Sequence, residues 1–158
     1  MAISLILFED DAERLNEICS RLNRDACACA VFLIETDGQL IASAGETDRY
    51  DAMSLAALTA GNVAAVNALA HLVGEDGFDS QFHAGVNAHI FISAVGESMI
   101  LVVVFNERSS LGLVRLKTGQ FIRTLESLIE QIVKRSSHVG ANPVGYTDSE
   151  IERMLDDK

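Results

Sequence analysis

The feature that most constrains the fold is a long run without a charged side chain. Between Asp51 and Glu75 the sequence contains no Asp, Glu, Lys or Arg. A helix of that length could cross a bilayer, so a membrane span has to be considered. The run is rich in alanine rather than leucine and carries Ser, Thr, Asn and His side chains, which are costly to bury in lipid. The sequence therefore favours a helix within a folded domain, and we expect no membrane insertion.

At about 100° per residue this helix divides into two faces. One face predicts a core stripe, made of Leu55, Leu58, Val66, Leu69, Leu72 and Val73, with Asn62 among them. The opposite face is small or uncharged: Met53, Ala57, Ala60, Ala64, Asn67, Ala68 and His71, flanked by Gly61. A helix face in water normally carries charges, so this face predicts a second covering surface. His71 fits either an interface group or a polar residue at the helix end.

Composition narrows the class of protein. The 158 residues suit one compact domain, and 49% hydrophobic residues can build its core. Twelve basic against 23 acidic side chains give a formal charge of −11, which opposes binding to a phosphate backbone. We therefore expect no nucleic-acid partner. Three cysteines cannot all pair, and the first residues lack a basic leader region, so we expect a cytoplasmic protein.

Hydrophobic periodicity and turn residues predict an α+β domain. Besides the uncharged helix, the predicted elements are an amphipathic helix at 9–26, strands at 29–35, 39–44, 78–84, 88–95 and 98–105, and a long helix at 110–136. Turns at Asp37–Gly38 and Gly96–Glu97 favour hairpins. The last strand is an almost continuous apolar run, which is typical of a strand covered on both faces.

The C-terminal region differs in composition from the rest. Residues 138–146 contain glycine, asparagine and the only proline, Pro143, and predict a linker. After it, Thr147 and Glu150 have the spacing of a capping box. Ile151, Met154 and Leu155 then fall on one side of an otherwise charged segment. Residues 147–158 fit either a short docking helix or an acidic flexible tail.

The sequence offers little for catalysis or cofactor binding. It has neither a G-x-x-x-x-G-K-[ST] loop nor a G-x-G-x-x-G turn after a strand, so we expect no nucleotide cofactor. Cys27 and Cys29, with His83 and His89, lack the spacing of a zinc site, and buried thiols are the simpler interpretation. We expect no metal and no catalytic residue in this chain.

Four segments carry a resemblance to a known family. They are VFLIETDGQLIASAG at 31–45, SLAALTAGNVAA at 54–65, QFHAG at 81–85 and SSLGLVRLK at 109–117. Over about residues 5–136 the sequence resembles the Roadblock/LC7 family. The resemblance implies an α/β/α sandwich: a five-stranded antiparallel sheet with the second helix on one face and the first and last on the other. Residues 1–137 would form this domain, followed by the linker and the C-terminal segment.

The resemblance also implies a function. Family members form homodimers through the second helix and an edge strand, here 78–84. Bacterial members with these motifs activate a Ras-like small GTPase, two subunits to one GTPase, in control of cell polarity and motility, with enrichment at cell poles. They orient the GTPase's own groups and donate no arginine. The alternative is a dimerisation scaffold that tethers a complex without stimulating hydrolysis. The implied partner contacts are Ala60, Gly61, Ala64, Asn67, Ala68 and His71, with Ile151, Met154 and Leu155 as a second docking contact.

Overall fold

The computed structural model describes residues 9–141 and Arg153, in the element order that the sequence predicts. The helices are α1 (Glu9–Asp25), α2 (Ala52–Leu72) and α3 (Leu111–Ala141), and a short 3-10 turn at Thr47–Arg49 precedes α2. The strands are β1 (Ala30–Glu35), β2 (Leu40–Gly45), β3 (Ser80–Ala84), β4 (His89–Val95) and β5 (Met99–Phe105). The 3-10 turn is the one described element that the sequence pattern did not predict.

The five strands form one antiparallel sheet in the order β2-β1-β5-β4-β3. The apolar strand β5 lies at the centre and is buried along its whole length, as predicted. Both predicted hairpin turns are present. Gly38 and Gly96 occupy them with φ of +96° and +61°, a backbone conformation that glycine adopts at little cost.

Alternating side chains divide the core into two layers, because successive residues of a strand point to opposite faces. On one face Leu33, Leu101 and Val103 pack beneath α1 and α3. On the other face Phe32 and Val102 pack with residues of α2. The predicted α/β/α sandwich, with one helix opposite two, is confirmed.

Helices α1 and α3 lie antiparallel on their face of the sheet. Arg135, near the end of α3, donates to the buried carboxylate of Asp11, near the start of α1. At the opposite end of α1 the Arg21 guanidinium lies 6.0 Å from the ring centre of Phe121. Leu15 and Leu22 of α1 are fully buried between these two contacts, so the helical stripe predicted for α1 does face the core.

The two edge strands of the sheet, β2 and β3, differ in how their outer backbone groups are covered. At the β2 edge the Asn16 side chain of α1 accepts a hydrogen bond from the Ser43 N–H at 3.1 Å. At the β3 edge no side chain among the described residues bonds to the backbone of Ser80–Ala84, which is mostly exposed. Unpaired backbone groups on an exposed edge can pair with another strand. Strand β3 is therefore the open edge of this sheet.

The C-terminal boundary differs from the prediction. Helix α3 continues to Ala141, five residues beyond the predicted end at 136 and into the range 138–146 that the sequence predicts as a linker. Ile151, Met154 and Leu155, predicted to dock on a partner, lie outside the described residues. Arg153 is helical and exposed.

Candidate partner interface on helix α2

Helix α2 begins at a well-defined N-cap. The Ser54 N–H donates to Asp51 Oδ1 at 3.2 Å, and the Ser54 hydroxyl donates to Asp51 Oδ2 at 2.6 Å. These two hydrogen bonds, the hydroxyl one first, lower the pKa of the Asp51 carboxyl below its ordinary value. An ionised carboxylate also suits the positive end of the helix dipole. Asp51 thus fixes the point at which the uncharged helix starts.

The buried face of α2 is not the predicted one. The fully or nearly buried positions are Ala56, Thr59 and Ala70. The predicted core stripe is wrong at four positions, where the exposed fractions are 74%, 55%, 83% and 66%: Leu58, Leu69, Leu72 and Val73. Small side chains allow α2 to approach the sheet closely. Because the helix is apolar all round, its periodicity carries little information about which face turns inward.

Three of the six predicted contact residues are exposed along the middle of α2, and a fourth, His71, is exposed at its end. Ala64 and Ala68 are exposed, and a methyl group added to Gly61 would meet no atom within 4 Å. Ala60 is half-buried against the β1–β2 turn, where a methyl group on Gly38 would lie 3.8 Å from its Cβ. Ala60 is therefore less accessible than Ala64 and Ala68, and its contact with a partner stays a prediction.

The other two predicted residues contact the loop that follows α2. A methyl group on Gly77 would lie 3.2 Å from Asn67 Oδ1. The Nε2 atom of His71 lies 3.1 Å from the Asp76 carbonyl oxygen, to which it donates in its Nε2-protonated form. Asn67 and His71 therefore lie against the loop between α2 and β3, where Asn67 is half-buried and His71 stays exposed.

Two neighbouring flanks make up the exposed surface of α2. The leucine flank is Leu58 and Leu69, and the alanine flank is Ala64 and Ala68; both are exposed. The exposed Leu72 lies beyond them, near the helix end. Several large apolar side chains on one uncharged surface are typical of an interaction site. The sequence analysis missed the leucine flank because it assigned those residues to the core.

Among the described residues, α2 is the one helix long and apolar enough to cross a membrane. Its contact with the sheet makes it part of the folded domain, because Ala56 lies in the same core cluster as Phe32 and Val102. Inserting α2 into a bilayer would therefore remove one layer of the sandwich. An interface with another protein covers the exposed flanks without this cost.

An uncovered part of the sheet lies beside α2. A cavity of about 690 Å³ lies between Val63 and Asn67 of α2 and the strands β3 and β4, with Ile92 among its lining residues. Phe78, which precedes β3, also lines it and is exposed. The exposed flanks, the cavity and the open edge β3 thus belong to the α2 side of the molecule.

The arginines nearest to the start of α2 are held by local partners. Arg49 Nη1 lies 3.0 Å from Glu46 Oε2. Arg108 Nη2 lies 3.5 Å from the Cys29 sulfur and 3.8 Å from Glu46 Oε1. The hydrogen bond to Cys29 raises the pKa of Arg108. Arg115 lies on the opposite face of the sheet, over the Phe91 ring.

The cysteines and histidines considered as metal ligands do not come together. No group of three potential ligands occurs among the described residues. Cys29 is buried beside Arg108, and His89 Nδ1 accepts from the Gly85 N–H at 3.2 Å. These residues serve local packing and turn geometry in the described part of the chain.

Comparison with known proteins identifies the class. The Roadblock/LC7 domain model matches residues 14–105, and the chain belongs to this family. Among solved structures it is similar to Myxococcus xanthus MglB, with 45% identity, 81% of this chain and 96% of that chain covered, and a TM-score of 0.76.

Two further structures agree with this assignment. The gliding protein MglB from Thermus thermophilus is 31% identical, with 83% of this chain and 99% of that chain covered and a TM-score of 0.77. An MglB with a tetrameric arrangement is 30% identical, with 84% and 99% covered and a TM-score of 0.77. No curated protein sequence matches the chain.

Proposed function

We propose that this chain is a GTPase-activating regulator that binds, as a homodimer, to a Ras-like small GTPase of the MglA type. Two subunits would bind one GTPase, in a cytoplasmic system that controls cell polarity and gliding motility. The observation that carries the proposal is the uncharged, exposed surface of α2 beside the open edge β3. Similarity to proteins named MglB supports it.

The first step is self-association through the leucine flank and β3. Two copies would bury Leu58 and Leu69 from each chain, and full burial of such a side chain contributes about 1.5–3 kcal/mol. Pairing of the two β3 edges would satisfy backbone groups that the single chain leaves open. The dimer would also cover the cavity beside α2.

The second step places the GTPase on the alanine flanks of the paired α2 helices. Ala64 and Ala68 are small enough to allow a switch segment of the partner to approach the helix backbone. Because α2 carries no charge, it offers shape and apolar contact rather than ion pairs. Such a surface suits a partner conformation that is held in place, with no group transferred from the regulator.

The positions of the arginines support a mechanism in which the regulator donates no arginine. A donated arginine can raise GTP hydrolysis by about 10³–10⁵. Helix α2 carries none, and Arg49 and Arg108 are held by Glu46 and Cys29. The regulator would instead stabilise the switch regions so that the GTPase's own catalytic groups reach the γ-phosphate and the attacking water. The chain itself would have no catalytic residue.

The interface is tested by Ala64→Arg combined with Ala68→Arg. Two long cations in a closely packed contact should lower affinity for an MglA-type GTPase by about 100-fold or more, because the charges would be buried without partners. Titration of the GTP-loaded partner measures this. A control with the same added charge, Ser20→Arg with Gln120→Arg, changes exposed positions on α1 and α3 and should bind normally. Unchanged affinity of the α2 variant would reject the surface.

The mechanism is tested by replacing Arg49, Arg108 and Arg115 with alanine together. We expect substantial stimulation of GTP hydrolysis to remain if the dimer is intact, because these side chains do not enter the GTPase site. Single-turnover hydrolysis and sedimentation velocity measure the two properties. Retained binding with almost no stimulation would favour a donated arginine. If the unmutated chain itself binds the GTPase but does not stimulate hydrolysis, the protein is a scaffold.

A further inference from the structure

A second surface lies on the opposite side of the molecule, between α1 and α3. It is a groove of about 590 Å³. Ile18 and Leu128 line it and are half-buried against the core beneath α1 and α3. Arg14, Arg21 and Arg123 also line it, all three with exposed side chains. The groove therefore combines an apolar base with a cationic rim.

The charge of this groove is opposite to that of the chain. Its lining holds three arginines and one acidic residue, Glu17, in a protein whose formal charge is −11. Among the described residues none of the three arginines has a carboxylate within 4.0 Å, although Arg21 also lies over Phe121. A cationic groove with an apolar base fits an amphipathic segment that carries acidic side chains.

We propose that this groove binds the chain's own C-terminal segment, residues 147–158, as a short helix. The segment contains five acidic and two basic side chains, and it has Ile151, Met154 and Leu155 on one helical side. These three would pack on Ile18 and Leu128, and the acidic side chains would face the arginines. The helical backbone at Arg153 is compatible with this arrangement.

Residues 142–146, which connect α3 to the C-terminal segment, are long enough to bring that segment to the groove. Helix α3 ends at Ala141, ten residues beyond Gln131 at the near end of the groove, which is about 15 Å at 1.5 Å per residue. Residues 142–146, extended, reach about 17 Å. A helix of residues 147–158 would be about 18 Å long, enough to run from Gln131 past Arg123.

The direction of the chain also agrees with the charges. Asp10 and Glu13 line an adjoining surface near the start of α1, at the end where α3 terminates, which shares Arg14 and Glu17 with the groove. Residues 142–146 would pass this surface, and none of them is charged. The acidic side chains come later, where they would lie beside Arg14, Arg21 and Arg123. The acidic segment would thus avoid like charge and meet opposite charge.

Hydrogen–deuterium exchange of the full-length protein tests the docking. Amides of residues 147–158 should exchange about 10-fold or more slowly in the wild type than in the Arg14→Glu, Arg123→Glu variant, because docking orders the segment. The control variant Arg24→Glu, Lys117→Glu reverses two charges outside the groove and should keep the slow exchange. Equal exchange of the segment in wild type and groove variant would overturn the proposal.

A cross-link identifies the position and the chain of origin. Thr124→Cys with Met154→Cys, in a Cys27→Ser background, should form a disulfide within one chain under mild oxidation, seen as a monomer on a non-reducing denaturing gel in which thiol titration finds both introduced thiols lost. Replacing Thr124→Cys by Ser20→Cys should abolish it. A disulfide only between chains would assign the groove to a second copy's tail, and no disulfide would mean that the segment lies elsewhere. Neither outcome depends on the GTPase, so the proposed function is tested separately.

Discussion

The two faces of the sheet are covered by helices of opposite character. On one face α1 and α3 bury Leu15, Leu22 and Leu125 completely and turn charged side chains to solvent. On the other face α2 buries mainly alanine and threonine and turns Leu58 and Leu72 to solvent. The first layer buries most of its large apolar side chains, whereas the second leaves more of them uncovered. The difference makes the α2 layer, rather than the α1 and α3 layer, the candidate for contact with another protein.

The edges of the sheet repeat this difference. Helix α1 protects β2 through the Asn16–Ser43 hydrogen bond, while β3 stays open on the side where α2 is exposed. A protein that only needed to remain monomeric would cover or charge such an edge. The uncovered helix, cavity and strand together indicate one assembly surface.

The largest expected effect is on self-association through α2. Leu58→Arg with Leu69→Arg should weaken the homodimer about 1,000-fold, equivalent to about 4 kcal/mol, because the interface would bury two unpaired charges from each chain. Sedimentation equilibrium measures the dissociation constant. Leu116→Arg, an equally exposed leucine position on α3, is the matched control and should leave the dimer intact. Comparable weakening by the control would remove the distinction between the two faces.

The next effect is on the stability of the single chain. In the monomeric Leu58→Arg, Leu69→Arg background, Leu125→Ala should lower the free energy of unfolding by about 3 kcal/mol, because Leu125 is fully buried and the change leaves a cavity. Leu72→Ala in the same background should cost less than about 0.5 kcal/mol, because Leu72 is exposed. Urea denaturation measures both values. Similar costs at the two sites would show that the two layers are equally packed.

The smallest effect concerns the N-cap of α2. Hydrogen bonds from Ser54 lower the Asp51 pKa, so the folded chain favours the ionised carboxylate. Its stabilisation is present above the ordinary Asp pKa of about 3.9 and is lost as the pH falls through the lowered value. The melting-temperature advantage of the wild type over Asp51→Asn should therefore shrink between about pH 6 and about pH 3. A pH-independent difference would mean that the charge of Asp51 does not matter.

Much of the fold could be predicted because its signals are local. The turn at Asp37–Gly38, the helical stripe of α1 and the apolar run of β5 each specify an element through neighbouring residues. The rotation of α2 could not be predicted, because a helix that is apolar all round has no contrasting faces. Its inward face depends on Gly38 and on the strands beneath it, which are distant in sequence.

The candidate site, like the fold, has a part that could be predicted from the sequence and a part that could not. Ala64 and Ala68 were identified from the absence of charge and are exposed, and so is His71, whereas Ala60 and Asn67 are half-buried against other parts of the domain. The arginine groove between α1 and α3 was missed because its charges come from two helices about 100 residues apart in sequence. In the sequence, these arginines are visible only as individual charged residues on the predicted helices α1 and α3, and nothing indicates that they lie close together.

The sequence by itself determined the order of the elements, the antiparallel hairpins, the family and the presence of a helix without charge. These properties depend on turn residues, periodicity and composition, which act over a few neighbouring positions. Only the tertiary structure decided that the leucine flank faces solvent and that β3 is the uncovered edge. Those properties depend on which surfaces remain uncovered after all other elements have packed. Because α2 packs closely against the sheet, its small side chains are the ones that are buried in the core.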